Sequence, residues 1–137
     1  MNGSILVIED NPMNLELVTD LLEGSLFRVT QAHTAEEGLR LARELMPDLV
    51  LMDISLPGMD GLAATRALKA DSTTRHLPVV ALTAHAMQGD QAIALEAGCD
   101  GYVTKPIDTR SFSKTIAAFI RKAADLSGNP HIQSDPA

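Results

Sequence analysis

The sequence predicts an α/β fold, a doubly wound parallel sheet built from about five βα units. Three observations carry this. Short apolar runs alternate along the chain with segments of helical periodicity. The main strand runs are aliphatic almost from end to end, as strands covered by helices on both faces must be. A chain of 137 residues, 45% of them apolar, suits one domain with a single core, and with 3% aromatics and no Trp that core is aliphatic.

The elements follow in order. "SILVI" (4–8) is a buried strand. "NPMNLELVTDLLEG" places Pro12 at a helix N1 position and Gly24 at its end, with Leu17, Val18, Leu21 and Leu22 forming one apolar face. "FRVTQA" (27–32) is rich in strand formers and alternates weakly. "TAEEGLRLARELMP" carries a capping box, Thr34 with Glu37, apolar positions at Ala35, Leu39, Ala42 and Met46, and a stop at Pro47. "DLVLMDI" (48–54) is the next buried strand, "LPGMDG" (56–61) is loop chemistry, and "LAATRALKA" (62–70) is a helix. "LPVVALTA" (77–84) is a further strand, and "MQGDQAIALEAG" (87–98) is a helix weakened by Gly89. "GYVTK" (101–105) is a short strand. "DTRSFSKTIAAFIRKAA" (108–124) is a helix capped by Asp108, with Phe112, Ile116 and Phe119 on one side. The aperiodic tail that follows is expected to be flexible, giving a domain over 1–122 and a tail over 123–137.

The totals exclude several function classes. A net charge of -7 argues against nucleic acid or an anionic membrane as a direct partner. No apolar run has the length of a membrane span, the N-terminus lacks a basic leader pattern, and Cys99 is the one cysteine, so a cytoplasmic location is expected.

The chemistry lies at the strand ends. The first strand run ends in Glu9 and Asp10, the third in Asp53, the fourth in Thr83 and the fifth in Lys105. Parallel strands carry their carboxyl ends to one edge, where function gathers in sheets of this kind. Three carboxylates drawn together repel one another; at about 4 Å and an effective dielectric of 20, each pair costs roughly 4 kcal/mol. Oxygen ligands with access to water suit Mg²⁺, which relieves that repulsion. Lys105 adds a fixed cation and Thr83 a hydroxyl donor. Together they form a cradle for a small tetrahedral dianion, with Asp53 placed to attack phosphorus as a carboxylate nucleophile. Taken singly, each has a plainer reading: loop acids, a hydrogen-bonded core acid, a strand threonine, a surface lysine. Five chemically matched residues ending four strands outweigh those readings together. Asp48, Asp60, Asp100 and Asp108 read as turn or cap residues. His33, His76 and His131 lack metal-ligand spacing.

With these residues in view, the chain resembles the receiver domain of two-component response regulators, through "ILVIEDNPMN" (5–14), "PDLVLMDISLPGMDG" (47–61), "PVVALTAHA" (78–86) and "GCDGYVTKPI" (98–107). It is similar above all to stand-alone single-domain receivers of the DivK type. The resemblance implies a flavodoxin-like three-layer sandwich with strand order 2-1-3-4-5. It implies that Asp53 accepts a phosphoryl group and that Glu9, Asp10, Asp53 and the main-chain carbonyl of Ser55 hold Mg²⁺, with Mn²⁺ able to substitute. Lys105 would contact the phosphoryl group, Thr83 and Tyr102 would act as switch residues, and the Lys105–Pro106 bond would be cis. The implied partners are a histidine kinase or a histidine phosphotransfer protein, and a downstream protein at the surface of the fourth helix, fifth strand and fifth helix. Direct nucleic-acid binding and membrane insertion are not expected. His85, two residues after Thr83, is expected near the pocket mouth, where it would affect the phosphoryl lifetime.

The chain is therefore expected to be a signalling switch that catalyses only its own phosphorylation and dephosphorylation, or alternatively a phosphorelay shuttle or a receiver from a hybrid kinase. An aspartyl-nucleophile phosphatase is a distant alternative: phosphatases of the haloacid dehalogenase type place a second acid where Ser55 stands. A flavin module would want a Ser/Thr/Gly-rich phosphate loop where Glu9 and Asp10 stand.

Overall fold

The computed structural model describes residues 3–54, 61–83 and 88–126. Along the chain run β1 (Gly3–Ile8), α1 (Pro12–Gly24), β2 (Phe27–Ala32), α2 (Ala35–Leu45), β3 (Leu49–Asp53), α3 (Gly61–Ala70), β4 (Val79–Thr83), α4 (Gln88–Ala97), β5 (Gly101–Thr104) and α5 (Phe112–Leu126). The five strands form one sheet in the order β2-β1-β3-β4-β5, all pairs parallel. The expected fold class is the observed one.

Period-two alternation along the central strands divides the core between the two sheet faces. On one face Leu6, Ile8, Val50, Met52, Val79 and Ala81 meet residues of α2, α3 and α4. On the other Ile5, Val7, Leu49, Leu51, Val80 and Leu82 meet α1 and α5. Both faces are thus covered, and every residue of β3 and β4 is buried. α2 sits close to β1 because Gly38 has no side chain: a Cβ there would lie 2.2 Å from Ile8 Cδ1.

Several local expectations shift. In α1 the buried residues are Leu15, Val18 and Leu22, while Leu17 is 38% exposed. The helix is therefore turned toward the sheet through Leu15, away from the face that Leu17 would define. At α2, Thr34 caps as expected, accepting from Glu37 N–H at 3.1 Å, but the Glu37 carboxylate accepts from His33 N–H at 2.8 Å. The reciprocal half of the capping box is thus displaced by one residue. Met46 is not an apolar helix position: it caps α2 in the left-handed region (φ 47) and is 41% exposed. α5 begins at Phe112 and not at Asp108, because Asp108 Oδ1 accepts from Arg110 N–H at 3.0 Å and closes a turn over residues 109–111. Asp48 and Asp100 are structural, as read. Asp48 accepts from Ser4 N–H at 2.8 Å. Asp100 accepts from Val79 N–H and Lys69 Nζ at 2.8 and 2.9 Å.

Candidate functional site

The sheet register assembles the site. Ile8 of β1 is level with Met52 of β3, so Glu9 and Asp53, the next residues on each strand, emerge side by side. Asp53 is level with Leu82, and Thr83 is level with Thr104, so Thr83 and Lys105 follow at the next positions along the same edge. Backbone bonds continue the pairing past the strand ends: Glu9 N–H to Ala32 O at 3.0 Å, Ile54 N–H to Leu82 O at 3.3 Å and Lys105 N–H to Thr83 O at 2.8 Å.

At this edge Glu9, Asp10 and Asp53 each offer a carboxylate oxygen, all within 4.8 Å of one another. Glu9 and Asp53 are buried and Asp10 is exposed, so the trio opens to water on one side. Lys105 Nζ stands 3.3 Å from Glu9 Oε1 and 3.5 Å from Asp53 Oδ2, a cation between two acids. Thr83 is buried at the end of β4, the strand paired with both β3 and β5. Tyr102 is half-buried and packs against the core on the α2–α4 face. The Lys105–Pro106 bond is cis. The structure thus brings together Glu9, Asp10, Asp53 and Lys105, and sets Thr83 on the same edge of the sheet. Ser55 and His85 lie outside the described residues.

Glu9 carries the electrostatic strain. Its Oε1 is buried and makes no hydrogen bond, Lys105 lying outside hydrogen-bond geometry although within ion-pair range. Burial pushes the carboxyl up to about 7, and a hydrogen bond to Asp53, which only the protonated acid can give, pushes the same way. The Asn11 N–H, 3.1 Å from Oε2, and the Lys105 charge pull against this. A buried acid at the edge of its charge range, beside two more carboxylates, is a site that a cation would complete. The all-oxygen donor set suits a hard divalent ion that keeps some of its water.

Asn11 belongs to the site although it ends no strand. Its N–H binds Glu9, while its Oδ1 accepts from Met13 and Asn14 N–H at 2.9 and 3.2 Å and caps α1. Asn before a proline at N1 is the available signal. Asn11 thereby ties the start of α1 to the acid.

Comparison with known proteins bears on this edge directly. The family model described as response regulator receiver domain matches residues 5–117. The chain is 43% identical over 123 residues to the polar-differentiation response regulator DivK of Brucella ovis, covering 90% of this chain and all of that one. The chain belongs to the response regulator receiver family. DivK of Brucella anthropi is equally similar to this receiver, at 43% identity over 90% of this chain and all of that one. Among solved structures it is similar to the receiver domain of a sensor histidine kinase from Pseudomonas aeruginosa PAO1, with TM-score 0.80 and 36% identity over 86% of this chain and 97% of that one. That structure was solved with a magnesium ion coordinated in its active site cleft. A receiver domain protein from Clostridium thermocellum gives TM-score 0.81 and 30% identity over 90% of this receiver and 98% of that chain. Among the described residues no helix is long and apolar enough to cross a membrane.

Proposed function

We propose that Asp53 of this receiver accepts a phosphoryl group from a histidine kinase or a histidine phosphotransfer protein, and that the modified state is read by a partner protein. The observation that supports this most strongly is the convergence of three carboxylates, Asp53 among them, and one lysine at the carboxyl edge of the sheet.

Glu9, Asp10 and Asp53 would hold Mg²⁺ or Mn²⁺, with the main-chain carbonyl of Ser55. The cation supplies charge neutralisation for the incoming phosphoryl group. One Asp53 carboxylate oxygen attacks phosphorus. The phosphorus–nitrogen bond to the donor histidine breaks, and its electron pair leaves with the imidazole, which takes up a proton from solvent. β3 fixes Asp53 at the mouth of the site, with Met52 and Leu51 buried behind it. Lys105, held at the end of β5, exchanges its contact with Asp53 for a phosphoryl oxygen. The Thr83 hydroxyl donates to another. Loss of the phosphoryl group is the same displacement with water as nucleophile, so the chain catalyses only its own modification and its reversal.

The new dianion biases two arrangements of Thr83 and Tyr102, and so the surface of α4, β5 and α5. Ile93 and Leu95 of α4 are 45% and 49% exposed, apolar groups available to a protein partner there. Incubation with Mg²⁺ and a small acyl phosphate should add one phosphoryl group by intact mass, and Asp53→Asn should take none. Equal phosphorylation of Asp53→Asn would remove Asp53 as the acceptor.

A further inference from the structure

α3 begins against the backbone that carries Asp53. Its first residue, Gly61, is buried, and a Cβ built there would lie 2.3 Å from the Asp53 carbonyl oxygen, 2.6 Å from Ile54 Cα and 3.0 Å from the Asp53 carbonyl carbon. All three are backbone atoms at the end of a buried strand, so none can swing aside as a side chain would. At Gly101 the contrast is clear: a Cβ there would meet atoms of the Phe119 ring, the nearest at 2.2 Å, on a side chain that can turn.

We infer that Gly61 is a positioning residue for Asp53: its bare backbone lets the start of α3 seat directly on the Asp53–Ile54 peptide and sets the depth of the acceptor carboxylate. This rests on the reading of Asp53 as acceptor and cation ligand. The seat is held from within α3. The buried Thr65 hydroxyl donates to Gly61 O at 2.8 Å, and Cys99 Sγ lies 3.7 Å from that hydroxyl. Any side chain at 61 must move α3 or the end of β3. The carboxylate oxygens of Glu9, Asp10 and Asp53 lie within 4.8 Å, and Lys105 Nζ is 3.5 Å from Asp53, so a displacement of a fraction of an ångström at Asp53 disturbs both. The demand at position 61 is therefore set by the chemistry one strand away as well as by packing.

The test compares Gly61→Ala with Gly101→Ala, each at a temperature where it is fully folded. It reads the amide chemical shifts of Asp53 and Ile54 without metal, Mg²⁺ affinity by titration, and the phosphorylation rate with an acyl phosphate at saturating Mg²⁺. Gly61→Ala is expected to shift both amides, weaken Mg²⁺ about tenfold and slow phosphorylation at least tenfold. Gly101→Ala should lose stability yet keep wild-type values of all three. Wild-type Mg²⁺ affinity and rate in Gly61→Ala overturn the inference, as does an equal deficit in Gly101→Ala. If Gly61→Ala does not fold, Thr65→Val, which removes only the hydroxyl holding Gly61, takes its place. It should weaken Mg²⁺ severalfold, and unchanged affinity and amide shifts would overturn the inference. If wild type itself takes no phosphoryl group, the acceptor reading fails, while the amide and Mg²⁺ measurements still decide whether Gly61 places the Asp53 carboxylate.

Discussion

Replacing Glu9 by Gln should stabilise the metal-free protein at pH 8 and remove its response to Mg²⁺. Glu9 has no accessible surface, and its carboxyl is raised from 4.5 to about 7 in the folded state. The folded form thus keeps a proton that the unfolded chain releases. That contribution to stability is present in full below about pH 4.5 and is lost as pH rises through 7. At about 1.4 kcal/mol per pH unit, the loss is about 3 kcal/mol. This is an upper bound, because the neighbouring Asp10 is exposed and solvent on that side screens the charge. Gln cannot ionise, and its amide can donate to Asp53 as the protonated acid does. In EDTA at pH 8, Glu9→Gln should therefore melt up to about 10 °C above wild type, and at pH 4.5 the two should coincide. Millimolar Mg²⁺ should raise the melting temperature of wild type at pH 8 and leave Glu9→Gln unmoved, because ligand binding stabilises only the form that keeps its carboxylates. Thermal melts at both pH values, with and without Mg²⁺, supply the whole comparison. Equal pH dependence of the two proteins in EDTA would refute the burial argument. A Mg²⁺ response retained by Glu9→Gln would remove Glu9 from the cation site.

Other substitutions probe the surrounding fold. Lys105→Met removes the cation lying between Glu9 and Asp53. It should lower stability by about 2 kcal/mol at pH 8, and by less at pH 5 where Glu9 is protonated; urea titrations at both pH values measure this. Asp100→Ala takes an acceptor from Lys69 Nζ and from Val79 N–H, and should reduce stability by about 1–2 kcal/mol without altering Mg²⁺ affinity. Leu51→Ala opens a cavity in fully buried β3 and should destabilise by about 3–4 kcal/mol at an unchanged urea slope.

The strand positions and the convergence of Glu9, Asp10, Asp53, Thr83 and Lys105 could be read from the sequence, because both follow from parallel strands ending at one edge. The pairing of Ile8 with Met52 and of Thr83 with Thr104 needs no more than strands of similar length entering the sheet in phase. Features set by competition between near-equal local bonds were less legible. Thr34 caps α2, but whether Glu37 bonds Thr34 or His33 depends on a rotation of one peptide. Asp108 can open a helix or close a turn, and the turn takes its side chain. Leu15 and Leu17 flank the same stripe of α1, and the tilt of the helix on the sheet decides that Leu15 is buried. The raised Glu9 carboxyl is a tertiary property: it arises because the fold buries one carboxylate beside Asp53. Gly61 could not be singled out before its distance to the Asp53 carbonyl was known.

Phosphoryl transfer should turn the carboxylate of Asp53 into an acyl phosphate. The most direct measurement is to load the protein with a small acyl phosphate and Mg²⁺, reduce it with borohydride, and map the product by peptide mass spectrometry. An acyl phosphate is reduced to the alcohol, so homoserine is expected at position 53, dependent on Mg²⁺. Homoserine at another aspartate, or a phosphoryl group on a serine or threonine that survives reduction, would contradict it.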